Sequence, residues 1–138
     1  MGTKILVVDD EHDMLKMLRI RLEKNGYTVI TASNGNECIE KAAEENPNVI
    51  LLDVLLSGQS GFEVSKFLKA NAKTKDIPII MVTALLGESV QRHGIESGAE
   101  YLISKPFDPD DLLWEIEDVL KKKTASPGVL KGAKEEQS

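Results

Sequence analysis

The chain has 138 residues, 41% of them hydrophobic and 29% charged, a globular composition long enough for one domain with a real core. A formal net charge of −6 argues against nucleic-acid binding by this chain alone, and no apolar run is long enough to span a membrane. The single cysteine, Cys38, cannot close an internal disulfide and fits a reducing cytoplasm; the direct entry from Met1-Gly2-Thr3-Lys4 into a strand leaves no signal peptide in view.

Apolar runs begin near Lys4, Thr28, Val49, Ile77 and Glu100. Their spacing of roughly 21–28 residues fits a strand, a crossover helix and two short loops, repeated five times. Continuous apolar strands predict a parallel sheet covered on both faces. The first helix is expected from about Glu11 to Asn25, with Leu15, Leu18 and Leu22 as its core stripe and Gly26 ending it. The second starts after Ser33-Asn34-Gly35 and stops before Pro47. The third begins near Gly61 and is expected to bury Val64, Phe67 and Leu68. The fourth, about Leu86 to Glu96, offers Leu86, Val90 and Ile95 to the core but contains Gly87 and Gly94, so it is marginal. The fifth is well specified: Asp108 caps it, Pro109 fills its first turn, Asp110 and Asp111 suit its positive end and Lys121 to Lys123 its negative end. Beyond Lys123 the pattern fails. Residues 1–123 are therefore read as one domain and residues 124–138 as a flexible tail or linker remnant.

Polar residues stand just past four of the buried strands: Asp9 and Asp10, Asp53, Thr83, and Lys105. In an open α/β sheet that edge is where ligands bind. Each residue has a bland reading as well. An aspartate such as Asp9 caps helices, Asp53 could be a turn residue, Thr83 a helix cap and Lys105 a solvated charge. Two successive aspartates at a buried edge need a cation or a partner, because buried like charges repel. Gly58 and Gly61 already supply the turn after Asp53. Taken together, three carboxylates suit a hard cation such as Mg²⁺, and the hydroxyl and ammonium suit phosphoryl oxygens. An aspartate here reads as a phosphoryl acceptor, with Asp53 the strongest candidate. Ala84 leaves room beside the pocket, and the Lys105–Pro106 bond in a tight turn is a candidate for the cis form. His12 and His93 have no zinc-site spacing and read as surface residues.

The motifs Val7-Val8-Asp9-Asp10-Glu11, Leu51-Leu52-Asp53, Val82-Thr83-Ala84 and Lys105-Pro106-Phe107, in that order and spacing, resemble the receiver domain of two-component response regulators. The resemblance covers about Lys4 to Lys123. It implies a doubly wound, five-stranded parallel sheet with five helices, flavodoxin-like, in the order 2-1-3-4-5. It implies that Asp53 takes a phosphoryl group from the phosphohistidine of a histidine kinase or phosphotransfer domain. Mg²⁺ or Mn²⁺ would be held by Asp10, Asp53 and the backbone carbonyl of Leu55, with Asp9 supporting the metal's water shell. Lys105 would contact the phosphoryl oxygens. Thr83 would move toward the phosphate and carry the change to the face built from the fourth helix, fifth strand and fifth helix. The implied setting is the cytoplasm, with no membrane, and the domain is a signalling unit that catalyses its own modification rather than an enzyme acting on other substrates.

Three positions depart from the family pattern. Ser57 stands where the loop usually has Pro, and Ser60 where Asp usually precedes the glycine matched by Gly61; both bear on loop rigidity rather than chemistry. The switch aromatic is expected three residues before the lysine, where this chain has Leu102; its aromatic, Tyr101, is one position earlier and so faces the other side of the strand. The resemblance also places Leu55 and Leu85, two beyond the acceptor and two beyond the threonine, near the path of the attacking water; neither can hydrogen-bond it, which predicts a long-lived phosphorylated state. Trp114 is expected to point roughly 160° from the buried stripe of Leu112, Leu113, Ile116, Val119 and Leu120. Its exposure would favour a partner or a homodimer through the fourth-helix, fifth-strand, fifth-helix face. Two rivals remain: a haloacid-dehalogenase type hydrolase, which needs an aspartate where Leu55 stands, and a phosphorylation-independent scaffold, against which the intact acidic and lysine positions weigh.

Overall fold

β1 (Lys4–Val8) shows how the apolar runs are used. Ile5 and Val7 face one side of the sheet and Leu6 and Val8 the other, all essentially buried. The same alternation holds in β3 (Val49–Asp53), where Val49 and Leu51 oppose Ile50 and Leu52. Burial on both faces is why these strands carry no polar alternation. The computed structural model describes residues 2–85 and 87–122.

After β1 come α1 (His12–Lys24), β2 (Thr28–Ala32), α2 (Gly35–Glu45) and β3. A small antiparallel hairpin follows, β4 (Leu55–Leu56) with β5 (Gln59–Ser60), and it leads into α3 (Gly61–Ala70). The chain closes with β6 (Ile79–Thr83), α4 (Glu88–Glu96), β7 (Tyr101–Ser104) and α5 (Pro109–Lys121). The main sheet is parallel throughout, in the order β2-β1-β3-β6-β7. With the hairpin set aside, that is the 2-1-3-4-5 order. Leu15, Leu18 and Leu22 of α1 and Leu112, Ile116 and Val119 of α5 cover one face. Cys38 and Ala42 of α2, Val64 and Leu68 of α3 and partly buried Val90 of α4 lie against the other. Truncating one of these fully buried leucines to alanine typically costs about 2–5 kcal/mol.

The helix ends follow local chemistry. Asn34 accepts the Glu37 backbone N–H at 2.8 Å, and the Glu37 carboxylate accepts the Ser33 N–H at 2.8 Å, which starts α2. Asp108 accepts the Asp110 N–H at 2.9 Å, with Pro109 opening α5. Gly26 after α1 has φ +90°, a conformation that glycine adopts without strain. The Lys105–Pro106 bond is cis.

Two expected core residues lie outside the core. Phe67 is 52% exposed. The buried line of α3 is Gly61, Val64, Ser65 and Leu68, and Ser65 takes the place because its hydroxyl donates to the Ser97 carbonyl at 2.8 Å. A satisfied serine there lets α3 approach the end of α4 where a phenyl ring would hold it off. Ile95 is also exposed: α4 presents Gly94, its one fully buried residue, to the interior. The helix begins only at Glu88, after an N-cap at Gly87 that makes no side-chain bond. Leu86 and the tail expected over 124–138 lie outside the described residues, as does Lys123 at the expected domain boundary.

Candidate functional site

Parallel register brings the strand ends to one edge. Val8 pairs with Leu52, Asp53 with Val82, and Thr83 with Ser104. Asp9, Asp10, Asp53, Thr83 and Lys105 therefore emerge side by side, and the structure brings together the polar residues that the sequence singled out. Each of the three aspartates offers a carboxylate oxygen within 4.8 Å of the others. An all-carboxylate donor set at that spacing fits a hard divalent cation of the Mg²⁺ type.

Asp9 and Asp53 are only 3% and 5% exposed. Each Asp9 oxygen takes one donor: Oδ1 accepts the Glu11 N–H at 2.9 Å and Oδ2 accepts the Lys105 ammonium at 3.1 Å. The first of these bonds closes a turn just ahead of α1; the helix N-cap is Glu11, which makes no side-chain cap bond, so Asp9 does not cap the helix. Asp53 Oδ1 accepts the Leu55 N–H at 3.2 Å, and Oδ2 accepts Lys105 Nζ at 3.4 Å. Burial and the neighbouring Asp9 charge raise the Asp53 carboxyl above its ordinary range, against the opposing pull of Lys105 and the Leu55 N–H. The Lys105 ammonium is drawn down by burial, but the bond to Asp9 and the charges of Asp53 and Asp9 outweigh that and raise it. One ammonium thus faces two buried carboxylates, and Asp10 adds a third, so the site carries an excess of negative charge that a divalent cation would offset.

Thr83 is fully buried, and its hydroxyl accepts the Leu85 N–H at 3.0 Å. It caps the loop after β6 rather than α4, whose first turn lies further on. Ala84 is exposed beside it. Leu55 and Leu85 both project outward, 52% and 39% exposed, from the loops that follow the acceptor and the threonine.

The loop after Asp53 is held at several points despite its two departures from the family pattern. The Ser60 hydroxyl accepts the Phe62 N–H at 3.1 Å and so caps α3 in the aspartate's place. Gly61 donates to the Val54 carbonyl at 2.7 Å; a Cβ there would meet the Asp53 carbonyl oxygen at 2.3 Å, so only glycine fits. Gln59 accepts the Gly35 N–H at 3.0 Å, tying the hairpin to the start of α2. Ser57 donates to Asp10 Oδ2 through both its N–H, at 3.1 Å, and its hydroxyl, at 2.7 Å. The roles of Ser57 and Gln59 escape sequence reading, since both partners are distant in the chain. The one available signal is a hydroxyl where a proline is usual.

Tyr101 and Leu102 face opposite sides of β7: Tyr101 lies with the α1 and α5 residues, Leu102 with those of α2 and α3. The Tyr101 hydroxyl donates to the Asp118 carboxylate, which fastens the ring to α5. Burial and the Asp118 partner raise its phenol above the ordinary range. Trp114 is 59% exposed on α5. It borders an open groove with Leu102, Phe107, Asp111 and Glu115. Cys38 is enclosed in the core, its thiol pushed up to about 12 by burial, and plays no part at this edge.

A doubly wound parallel domain with a carboxylate cluster, a buried threonine and an ammonium at its strand edge is of the phosphoryl-handling class. The chain belongs to the response regulator receiver domain family, whose pattern matches residues 5–117. It is 38% identical to the phosphate regulon transcriptional regulatory protein PhoB of Klebsiella pneumoniae, over 88% of this chain and 53% of that protein. It is 41% identical to the alkaline phosphatase synthesis transcriptional regulatory protein PhoP of Bacillus subtilis, over 88% of this chain and 50% of that protein. The chain thus spans about half the length of these curated relatives. Among solved structures, a CheY-like receiver domain protein from Methanospirillum hungatei superposes with TM-score 0.84 at 29% identity, covering 90% of this chain and 98% of that one. The chemotaxis response regulator CheY4 of Vibrio cholerae superposes with TM-score 0.81 at 33% identity, covering 86% and 99%. Receiver domains are the phosphoaccepting signalling units of two-component systems. No described helix is long and apolar enough to cross a membrane.

Proposed function

We propose that Asp53 is the phosphoacceptor of this receiver domain. The single observation that carries the reading is the Lys105 ammonium bound to Asp9 and Asp53 together at the strand edge, 3.1 and 3.4 Å away, with a third carboxylate adjoining. An Asp53 carboxylate oxygen attacks the phosphorus of a phosphohistidine; the P–N bond breaks with its electron pair going to the ring nitrogen, the ring takes one proton from solvent and leaves as neutral imidazole, and an acylphosphate forms on Asp53. The Lys105 ammonium neutralises charge on the transferring phosphoryl oxygens, and such electrostatic positioning is most of phosphoryl-transfer catalysis. A bound Mg²⁺ or Mn²⁺ supplies further charge neutralisation. Asp10, Asp53 and the Leu55 carbonyl are its proposed protein ligands by resemblance to the family, and Asp9, held by Lys105 and the Glu11 N–H, would act through water. Thr83 gives up its Leu85 bond to donate to a phosphoryl oxygen. The resulting loop shift reaches the face formed by α4, β7 and α5. Because Tyr101 is fastened to α5 on the far side of β7, the signal travels through backbone and α4 rather than an aromatic rotamer. The short, glycine-capped α4 suits that role.

The proposed donors are a histidine kinase or a phosphotransfer domain, in the cytoplasm. The proposed output contact is a partner or second copy on the α4–β7–α5 face, anchored by exposed Trp114. The test is transfer from a labelled phosphohistidine domain to this chain. Mg²⁺-dependent movement of the label, lost in Asp53→Asn, is expected. Failure to accept label from any histidine donor, with partner binding unaltered in Asp53→Asn, would favour the phosphorylation-independent scaffold.

A further inference from the structure

The two Ser57 bonds to Asp10 have a consequence for which cation the site takes. A carboxylate oxygen has two lone pairs, and Asp10 Oδ2 receives one donor on each: the Ser57 hydroxyl at 2.7 Å and the Ser57 N–H at 3.1 Å. Oδ1 receives no donor from the described residues. The carboxylate is therefore oriented, with one oxygen committed to the hairpin loop and one left for a ligand. A proline at this position, the usual residue of the family, has neither an N–H nor a hydroxyl and could make neither bond. The hairpin that carries Ser57 is itself anchored, by the Gln59 bond to Gly35 and by the close fit of Gly61 against the Asp53 carbonyl. Ser57 thus holds Asp10 from a fixed base.

We propose that Ser57 is a positioning and selectivity residue: it restricts Asp10 to one-oxygen contact with the bound cation, and so favours Mg²⁺ over Ca²⁺. The inference rests on the reading of this edge as a divalent-cation site. Mg²⁺ demands near-octahedral geometry at short range and is held by a few single oxygens plus water. Ca²⁺ takes more ligands at longer distance and readily accepts both oxygens of one carboxylate. An Asp10 whose Oδ2 is occupied by two donors suits the first ion and denies the second its two-point grip. Ser57 touches neither ion. It acts through Asp10, as partners that orient metal-ligating carboxylates do.

The experiment is calorimetric titration of the metal-free protein with Mg²⁺ and, separately, Ca²⁺, for wild type, Ser57→Ala and Ser57→Thr. Because Ser57→Ala keeps the backbone N–H bond, its Mg²⁺ affinity should fall by about three- to tenfold, at or below the low end for loss of an orienting partner. Its Ca²⁺ affinity should stay within about twofold or rise, so the Mg²⁺/Ca²⁺ ratio narrows. Ser57→Thr, which retains the hydroxyl, should restore the wild-type ratio. A general loosening of the loop would weaken both ions alike, and an equal loss for both overturns the proposal. So does tighter Mg²⁺ binding by Ser57→Ala, which would mean that the serine competes with the ion. Absence of any divalent binding by wild type would overturn the cation-site reading itself, along with this inference.

Discussion

Replacing Lys105 with methionine keeps most of the side chain's bulk and removes one charge. The ammonium sits 3.1 Å from Asp9 and 3.4 Å from Asp53, two carboxylates whose side chains are about one-twentieth exposed, while its own is 18% exposed. At such separations each attraction is about 1 kcal/mol in water and about 5 kcal/mol at the effective dielectric near a protein surface. Desolvation of the ammonium offsets part of this. Truncating one partner of a fully buried pair costs about 3–5 kcal/mol, and a surface pair contributes about 0–1 kcal/mol. Lys105 lies between those limits, so the metal-free variant should lose about 2 kcal/mol. For a domain of this size that lowers Tm by about 8 °C. The sign of the pH dependence follows from the direction of each shift. The raised Lys105 value means its contribution is complete below the ordinary lysine range and is lost only as pH climbs through the raised value. On the acid side the gap narrows as Asp53, whose carboxyl is raised, takes up its proton. Mg²⁺ should stabilise the variant more than wild type, because the ion no longer shares the carboxylates with a second cation. The assay is a thermal melt with and without Mg²⁺ across pH 5–9. A Tm change under about 2 °C at neutral pH, or equal Mg²⁺ stabilisation of both proteins, would refute the view that this lysine holds the acidic cluster together.

Asp53→Asn should stabilise the metal-free protein at pH 7–8 by about 1–2 kcal/mol, within the usual range of single substitutions. A raised carboxyl weighs against the folded state once pH exceeds its value, so this advantage should shrink toward pH 4 and on Mg²⁺ addition in thermal melts. Leu55→Asn and Leu85→Gln should each speed loss of phosphate by about three- to tenfold, because an exposed polar group in either loop can position water in line with the acylphosphate; single-turnover decay of the phosphorylated protein measures this, and unchanged decay in both would count against it. Trp114 fluorescence should be readily quenched by a neutral quencher in the unphosphorylated monomer. Trp114→Ala should reduce self-association or partner binding under phosphorylating conditions by about tenfold or more, measured by sedimentation; equal association would remove the interface role.

The strand edge was legible because buried parallel strands announce their ends by an abrupt change from apolar to polar residues. Ile-Leu-Val-Val before Asp9 and Val-Ile-Leu-Leu before Asp53 leave little choice of where the sheet stops. α1 was equally plain from its leucine stripe and Gly26, α2 from its Ser33-Asn34-Gly35 start and the Pro47 beyond it, and α5 from cap and stripe together. Exposure of Trp114 followed from periodicity alone. Sequence reading failed where size and polarity misstate fit. It preferred the phenyl ring of Phe67 to the hydroxyl of Ser65, although a serine with a partner on Ser97 packs closer. It preferred Ile95 to Gly94 on α4 for the same reason. The two-residue strands of the hairpin are too short to show a period, and the bonds Ser57 makes to Asp10 join residues 47 apart in the chain. The sequence of the loop therefore shows only a missing proline and aspartate, while its serines replace those residues with hydrogen bonds.

The most direct test of the account is the chemical location of the phosphoryl group. The protein would be incubated with a small phosphodonor and Mg²⁺, the acylphosphate trapped by reduction, and the digested chain mapped by mass spectrometry. A single modification on Asp53, absent without divalent cation and absent in Asp53→Asn, is the predicted result. Modification of Asp9 or Asp10 in place of Asp53, or undiminished labelling of Asp53→Asn, would contradict it.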